Sequence, residues 1–305
     1  MLAELDAALA SLEPQLGARA SEPQALDGGI TNRNFRIELG GRDVVVRLPG
    51  NDTDLLGIDR AAERDATEVA ARAGVGPEVV AFIDEPPCLV TAFIAGRPLA
   101  AEELRAPPLV EEVAEVLRTV HAGPALPSRF DSFAVVEDYR ATAAERGARI
   151  PDSYAELAAG ASAIRSALSG PEHAPVACHN DLLTANFLHD GARVRIVDWE
   201  YAGMGDRYFD IGNLSVNNGF AEADDERLLS AYWREPCSPG RFAALRLMRI
   251  MSDFREGMWG VVQTAISTLD FDFPAYADEH LDRVAAGLAD PRVPGWLEEA
   301  RDDGA

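Results

Sequence analysis

Apolar residues recur at helical spacing along the first sixteen positions of the chain. Leu2, Leu5, Leu9 and Leu12 are three or four residues apart, and the positions between them are small or polar. Residues at this spacing lie on one face of an α-helix. The segment therefore predicts an amphipathic helix whose leucine face is buried.

The pattern then changes from helical spacing to alternation, which is typical of strands. Phe35, Ile37 and Leu39 alternate with polar residues, two glycines follow at positions 40–41, and Val44–Val46 is continuously apolar. Adjacent glycines between such runs predict a hairpin turn. The remaining predictions for this part are strand–turn–strand over residues 26–48, a helix over residues 59–73 ending at Gly74, and strands over residues 78–83 and 88–94.

Helical spacing dominates after Pro98. A β-rich part followed by a helical part predicts an α+β, two-lobed fold. We expect an N-terminal lobe over residues 1–95 and a C-terminal lobe over residues 96–305, with a hinge near residues 91–98. The elements predicted for the second part are helices over residues 101–121, 153–169, 222–233, 239–268 and 274–288, an apolar stretch at Val176–His179 and a strand at Val194–Val197.

The composition narrows the class of protein. A length of 305 residues suits two lobes, and no run of eighteen uncharged apolar residues occurs, so we expect no membrane span. The N-terminus lacks the basic and apolar regions of a signal peptide. Three widely spaced cysteines favour neither a disulfide framework nor a zinc site, which suits a reduced, cytoplasmic compartment. They are Cys88, Cys178 and Cys237.

The formal net charge of −23 argues against a nucleic-acid partner, because a phosphate backbone needs a basic surface. Two interpretations of the acidic excess stay open. It could draw a cationic small substrate to an acidic cleft, or it could serve solubility alone. The sequence leaves the oligomeric state open.

Candidate chemistry concentrates in the loop His179–Asn186 and at Asp198. Asp181 can accept the proton of an attacking hydroxyl, and Asn186, five residues later, can bind a metal through its amide oxygen. His179 can hold the loop by hydrogen bonds. Asp198 ends a predicted strand, where a second carboxylate suits Mg²⁺. The order H-x-D-x-x-x-x-N, strand, Asp predicts phosphoryl transfer that depends on ATP and Mg²⁺.

The N-terminal part offers candidate contacts for the nucleotide. Asp27–Asn32 lies between strand-like runs; its glycines permit close approach of phosphate, and Thr31 can donate to phosphate oxygens. A simple hairpin turn is the alternative. Arg47 ends a strand and Glu63 lies in the next helix, positions at which kinases pair a phosphate-binding cation with a glutamate. A solvated helix face is the alternative for Glu63 and its arginine neighbours.

These residues resemble the choline/ethanolamine kinase family, within the wider aminoglycoside-phosphotransferase-like kinases. The similarity runs from about Gly28 to about His280. The H-x-D-x-x-x-x-N loop is shared by the wider group, whereas the DWEY and FDIGN motifs and the WGVVQTAIS segment resemble the choline/ethanolamine branch. The other matching segments are GGITNRNF, VVVRLPG, IDRAAERDA, GVGPEVV, CHNDLLTANFL and FDFPAYA.

The resemblance implies ATP and Mg²⁺ as cofactors, and a role for each matched position. Asp181 resembles the catalytic base, and Asn186 and Asp198 resemble the metal ligands. Arg47 and Glu63 resemble the phosphate-binding cation and its helix partner. Further nucleotide contacts are implied at Thr31 and Asn32 in the phosphate loop and, through backbone groups, at Val90 and Phe93 in the hinge Val90–Ile94.

The resemblance also implies an acceptor pocket for a small cationic alcohol. Glu200, Tyr201 and Asp210 fall in the family's second motif. Asp210 is expected to brace the catalytic loop through backbone N–H groups. Trp259 and Tyr276 match aromatic positions that line the amine pocket of family members.

Two positions depart from the family pattern where the substrate is recognised. Eukaryotic choline kinases carry a second tryptophan where this chain has Glu256, and Asn217 stands where an acidic residue is expected. Aromatic faces suit a trimethylammonium group, whereas a primary ammonium prefers carboxylate or carbonyl acceptors. The change weakens the case for choline and leaves ethanolamine or another small amino alcohol. Glu256 could instead face solvent or pair with Arg255 or Arg249.

Other functions remain as alternatives. An aminoglycoside, thiamine or amino-sugar kinase of the same fold would also suit an acidic cleft. A non-catalytic nucleotide-binding pseudokinase is a further alternative. Because Asp181, Asn186 and Asp198 are all present, the sequence argues against such a pseudokinase.

Overall fold

The protein is described by a computed structural model over residues 2–26, 32–50, 52–85 and 87–302. Its N-terminal part contains a five-stranded antiparallel sheet. Gly40 and Gly41 have φ of 56° and 78°, the left-handed conformation that a two-residue hairpin turn requires. The strands on either side of this turn pair with each other, so the predicted hairpin is confirmed. In their order across the sheet the strands are β1 (Gln24–Leu26), β2 (Asn32–Leu39), β3 (Arg42–Pro49), β5 (Cys88–Ala92) and β4 (Val79–Ile83).

The predicted N-terminal helix, α1 (Leu2–Leu16), packs on this sheet. Leu5, Leu9 and Leu12 are buried in one cluster with Ile37 of the sheet. Burial of apolar side chains drives this packing, which explains the leucine spacing. The cluster forms a separate core for the N-terminal lobe.

The rest of the chain is mainly helical and has a second, larger hydrophobic core. Two short ladders accompany the helices: β6 (Arg97–Pro98) with β8 (Phe187–His189) and β9 (Val194–Ile196), and β7 (Val176–Cys178) with β10 (Gly203–Gly205). The helices are α2 (Arg60–Arg72), α3 (Ala101–Arg105), α4 (Leu109–His121), α5 (Ser132–Glu145), α6 (Tyr154–Ala167), α7 (Arg207–Asn217), α8 (Glu222–Trp233), α9 (Pro239–Ile266), α10 (Phe273–Leu288) and α11 (Val293–Asp302).

These elements confirm the α+β, two-lobed fold, with two corrections. The helix predicted over residues 101–121 is divided into α3 and α4, because Pro107 and Pro108 lack the N–H groups that a continuous helix needs. Helices α5, α7 and α11 were not predicted. The division between residues 95 and 96 stays a prediction.

Helix α9 is the central element of the C-terminal lobe and is buried along most of its 28 residues. Helix α7 crosses it closely at Gly212, where a Cβ atom would lie 2.9 Å from the backbone nitrogen of Arg249. This contact fixes α7, which carries Asp210, against α9, which carries Arg255 and Trp259. Among the described residues, no helix combines the length and the apolar character that crossing a membrane requires.

Candidate active site

The catalytic loop follows β7 and is held by one fully buried carboxylate. Asp210 accepts hydrogen bonds from the backbone N–H groups of His179 (2.8 Å) and Asn180 (2.6 Å). Asn180 has φ of 67°, a left-handed conformation that side chains larger than glycine rarely adopt. The two hydrogen bonds stabilise that conformation. Asp210 thus makes the backbone contacts expected of it.

Further side chains, which were not predicted from the sequence, stabilise the same loop by hydrogen bonds. His121 Nε2 lies 3.1 Å from Asp210 Oδ2, and His121 Nδ1 lies 2.7 Å from the Tyr232 hydroxyl. Asn213 Oδ1 accepts the backbone N–H of Leu182 at 2.5 Å. A histidine near the end of an apolar helix gives no signal that separates this role from an ordinary core position.

His179 connects the loop to the strand that leads to Asp198. Burial lowers the pKa of His179, which favours the neutral ring. In the neutral ring, Nε2–H donates to the carbonyl of Val197 (3.0 Å) and Nδ1 accepts the backbone N–H of Asp181 (3.2 Å). Both ring nitrogens are therefore engaged in holding the loop, and His179 is a positioning residue.

The two predicted metal ligands lie next to each other at one cavity. Val197 N–H donates to the carbonyl of Asn186 at 3.0 Å, and Asp198 follows directly. The Asn186 amide nitrogen donates to the carbonyl of Asp181 at 2.7 Å, which leaves the amide oxygen for another partner. An amide oxygen beside a carboxylate is a donor set that Mg²⁺ prefers, so these residues fit that ion.

Asp181 is buried, with only 8 % of the residue exposed. Burial raises the pKa of Asp181 to about 8 against the opposing charge of Arg255, and the carboxylates of Glu256 and Asp198 add to the rise. A carboxylate whose pKa lies near neutral pH is a better proton acceptor than an ordinary aspartate. The electrostatics of the site therefore suit Asp181 as a general base.

An ion-pair network links the sheet to the catalytic loop. Arg47 Nη1 lies 2.8 Å from Glu63 Oε1 and also contacts Asp198. Although burial disfavours its charge, Asp198, Glu63 and Glu200 raise the pKa of Arg47 above its ordinary value. Arg60, considered from sequence only as a neighbour on a solvated face, contacts Glu63 (2.7 Å) and Glu200 (3.0 Å).

Glu200, predicted as an acceptor residue, contacts two residues on the nucleotide side of the site. Its Oε2 accepts a hydrogen bond from Asn32 Nδ2 at 2.8 Å in addition to the contact with Arg60. Asn32, the last residue of the predicted phosphate loop, begins β2. Glu200 therefore bridges the two lobes. Thr31, the other candidate in that loop, lies outside the described residues.

A cavity of about 320 Å³ lies between the sheet and the catalytic loop. The side chain of Val90 does not line it, because alternation along β5 directs Leu89 and Thr91 to the cavity and buries the Val90 side chain in the N-terminal core. The contact predicted through the Val90 backbone stays a prediction. Phe93 lines the cavity, and the guanidinium of Arg36 lies 3.8 Å from the centre of its ring. Other lining residues include Val45, Arg47, Glu63, Ala92, Ile94, Asn186, Leu188 and Asp198.

Four of the predicted acceptor residues form one cluster. Trp259 Nε1 donates to the Tyr201 hydroxyl at 3.2 Å, and the Tyr276 hydroxyl donates to Glu256 Oε2 at 2.8 Å. The rings of Trp259 and Tyr276 meet edge to face with centroids 5.7 Å apart. The structure thus brings together the aromatic positions and the carboxylate that replaces the second tryptophan.

Arg255 joins this cluster to the catalytic loop. Its Nη1 contacts Glu256 Oε1 and lies 3.4 Å from Asp181 Oδ1. The sequence left Arg255 as one of several alternative partners for Glu256, and the structure selects it. The sequence did not indicate that the Arg255 guanidinium would contact Asp181, because that contact depends on how α9 packs against the catalytic loop.

Asn217 is a second predicted acceptor residue, besides Glu200, that lies outside the four residues of this cluster. Its amide nitrogen has no partner among the described residues. The adjacent Asn218 instead reaches the catalytic loop, where its Nδ2 donates to the carbonyl of Leu182 at 3.0 Å and its Oδ1 accepts from Thr184 at 2.7 Å.

A buried carboxylate in a tightly held loop, oxygen donors that suit a metal and an arginine–glutamate pair at one cleft are features typical of a phosphotransferase. Comparison with known proteins agrees, since residues 22–248 match the phosphotransferase enzyme family. A choline/ethanolamine kinase family protein from Mesorhizobium loti is 33% identical, with a TM-score of 0.83 over 98% of this chain and 99% of that one. The chain therefore belongs to the phosphotransferase enzyme family and, within it, to the choline/ethanolamine kinase family.

More distant relatives extend this result. Ethanolamine kinase 2 of Rattus norvegicus is 28% identical over 281 residues, which cover 82% of this chain and 71% of the relative. The choline kinase LicA from Streptococcus pneumoniae shares the fold, with a TM-score of 0.79 and 23% identity over 94% of this chain and 99% of that one. A structure of LicA in complex with AMP shares it as well, with a TM-score of 0.74.

Proposed function

We propose that this protein transfers the γ-phosphoryl group of ATP to the hydroxyl of a small amino alcohol. The position of Asp181 carries the proposal. On one side its backbone carbonyl is bound by Asn186, which lines the nucleotide cavity, and on the other side its carboxylate faces Arg255 of the acceptor cluster. Relatives that are ethanolamine and choline kinases support the acceptor class, and the LicA complex with AMP supports the nucleotide.

In this reaction the acceptor oxygen forms a bond to the γ-phosphorus while the bond from that phosphorus to the β–γ bridging oxygen breaks. Asp181 takes the hydroxyl proton, and ADP leaves. Arg47 offsets phosphate charge from the sheet side of the cleft, and Glu63 and Arg60 hold it in place. The chemistry depends mainly on positioning and charge stabilisation, so the hydrogen bonds that fix the loop support the rate.

Asn186 and Asp198 are the residues that would hold Mg²⁺. The ion would supply positive charge to the phosphate oxygens. The free thiols of Cys88 and Cys178 are buried, which suits the cytoplasmic location that we propose for an ATP-dependent enzyme.

A panel of acceptors tests the proposal. Release of ADP from ATP and Mg²⁺ is measured with ethanolamine, its methylated derivatives, choline and an aminoglycoside, and phosphorus NMR identifies the product. We expect a phosphate ester of at least one amino alcohol. ADP release that depends only on the aminoglycoside, or only on water, would contradict the proposal.

A further inference from the structure

Arg255 is a buried cation with one unused edge. The residue is 2 % exposed and lies on α9. Its Nη1 contacts both Asp181 and Glu256. Its Nε and Nη2 atoms have no hydrogen-bond partner among the described residues. In this guanidinium, Nη1 contacts two carboxylates, whereas Nε and Nη2 are buried donors without an acceptor among the described residues.

The two unpartnered nitrogens belong to the same edge of the guanidinium plane. Nε–H and the outer N–H of Nη2 point in parallel, which is the fork that binds both oxygens of a carboxylate. Buried donors without acceptors are unfavourable, and native proteins seldom leave them so. An edge of this shape beside the catalytic base thus calls for a planar anionic group on the ligand.

Glu256 supplies the opposite charge in the same cluster. Its Oε1 contacts Arg255, and its Oε2 accepts from the Tyr276 hydroxyl. A carboxylate has about four lone-pair sites, so these two contacts leave room for an ammonium group. The cluster consequently presents a hydrogen-bond donor edge and a hydrogen-bond acceptor side by side.

The aromatic surface of the cluster is partly taken by the protein's own cation. The guanidinium carbon of Arg255 lies 4.2 Å from the centre of the Tyr201 ring. That face of Tyr201 is then occupied and does not serve a methylated ammonium of the substrate. Recognition here relies on paired charges more than on an aromatic box.

We infer that the acceptor is a zwitterionic amino alcohol, a hydroxy-amino acid of the size of serine. Its carboxylate binds the Nε–Nη2 edge of Arg255, its ammonium binds Glu256, and its hydroxyl faces Asp181. The inference rests on the proposed phosphorylation of an amino alcohol and adds the anionic group that such an acceptor carries. Arg255 is then the residue that determines specificity for this group.

Three acceptors that differ at one position test the inference with the wild-type protein. Ethanolamine lacks the third substituent, serinol carries a neutral hydroxymethyl group, and serine, used as both enantiomers, carries the carboxylate. We expect kcat/KM for one serine enantiomer to exceed that for ethanolamine and serinol by about a hundredfold, because a site built for a hydrogen-bonding group rejects analogues without it. Calorimetric titration of the same three ligands in the presence of ADP should give the same order.

The variant Arg255→Lys distinguishes the effect of the planar Nε–Nη2 edge from the effect of the positive charge. The variant keeps a cation beside Glu256 but loses the planar fork, so kcat/KM for serine should fall about tenfold or more relative to kcat/KM for ethanolamine. Arg246→Lys is the matched control, because Arg246 lies on the same helix and pairs with the buried Asp225, and it should leave the preference unchanged. Thermal unfolding verifies that both variants fold.

Three results would overturn the inference. In the first, wild-type protein uses ethanolamine or serinol as well as serine. In the second, Arg255→Lys lowers kcat equally with every acceptor, which would place Arg255 at the transferred phosphoryl group. In both cases the proposed kinase function stands. In the third, none of the three acceptors is turned over; if choline and the methylated ethanolamines are not turned over either, the proposed function fails as well.

Discussion

The catalytic loop and the acceptor cluster meet at Asp181, but their polar groups are held in different ways. On the loop side, Asp210 accepts two backbone N–H groups and lies 3.1 Å from His121. On the acceptor side, Arg255 keeps one edge without a partner among the described residues. The backbone of the loop is thus held by contacts within the protein, whereas we propose that a ligand completes the acceptor cluster. This contrast explains how one catalytic loop can serve acceptors of different chemistry.

The largest expected effect is the loss of kcat when Asp181 is replaced. Asp181→Asn keeps the size of the side chain but cannot take the hydroxyl proton, so kcat should fall about a thousandfold. Binding of ATP should persist, because the nucleotide cavity is lined by other residues. Steady-state kinetics and nucleotide titration measure the two effects. Retention of more than a few per cent of kcat would exclude Asp181 as the base.

Weakening the hydrogen bonds from the catalytic loop to Asp210 should lower kcat although Asp210 does not contact the reacting groups. Asp210→Asn loses one of the two oxygens that accept the backbone N–H groups of the loop. We expect kcat to fall about 10–100-fold and the free energy of unfolding to fall by about 1–3 kcal/mol. Asp253→Asn, at another buried carboxylate paired with a histidine, is the control and should lower stability alone. Equal kcat in wild type and Asp210→Asn would contradict the bracing role.

A substitution at Arg47 should affect ATP binding and leave acceptor binding nearly unchanged. Arg47→Met removes the cation that contacts Glu63 and Asp198, so KM for ATP should rise about tenfold while KM for the acceptor stays within about twofold. Arg64→Met, on the exposed side of the same helix as Glu63, is the control. If the acceptor KM rose as much as the ATP KM, Arg47 would not belong to the nucleotide side.

The smallest expected effect concerns stability and pH in the protein without nucleotide or metal. The pKa of Asp181 is about 8 in the folded protein, above its ordinary value, so the folded state favours the protonated carboxyl. Wild type should lose stability from this group as pH rises from about 4 to about 8. Asp181→Asn has no such loss, and its Tm should exceed that of wild type by about 3 °C more at pH 8 than at pH 5. A Tm difference independent of pH would contradict the raised pKa.

Sequence reasoning reached the parts of the site that depend on local order. His179, Asp181 and Asn186 share one short loop, and Asp198 follows a short strand, so their spacing alone brought them together. The hairpin at residues 40–41 was predictable for the same reason, because its turn demands glycine.

The missing parts depend on contacts between distant segments. The bridge from Arg60 to Glu200 spans 140 positions, and the contact of Arg255 with Asp181 spans 74. No periodicity encodes such distances. Helix α7 was missed because its sequence mixes glycine, asparagine and aspartate that serve packing and bracing, and these residue types have low helix propensity.

The most direct test of the central claim follows the phosphorus atom. Wild-type protein and Asp181→Asn are incubated with ATP, Mg²⁺ and each of ethanolamine, choline, serine and an aminoglycoside, and phosphorus NMR records where the γ-phosphoryl group goes. We predict a phosphate monoester of a small amino alcohol that forms with wild type and is absent with Asp181→Asn. Transfer only to water or to the aminoglycoside, or equal ester formation by the variant, would contradict the account.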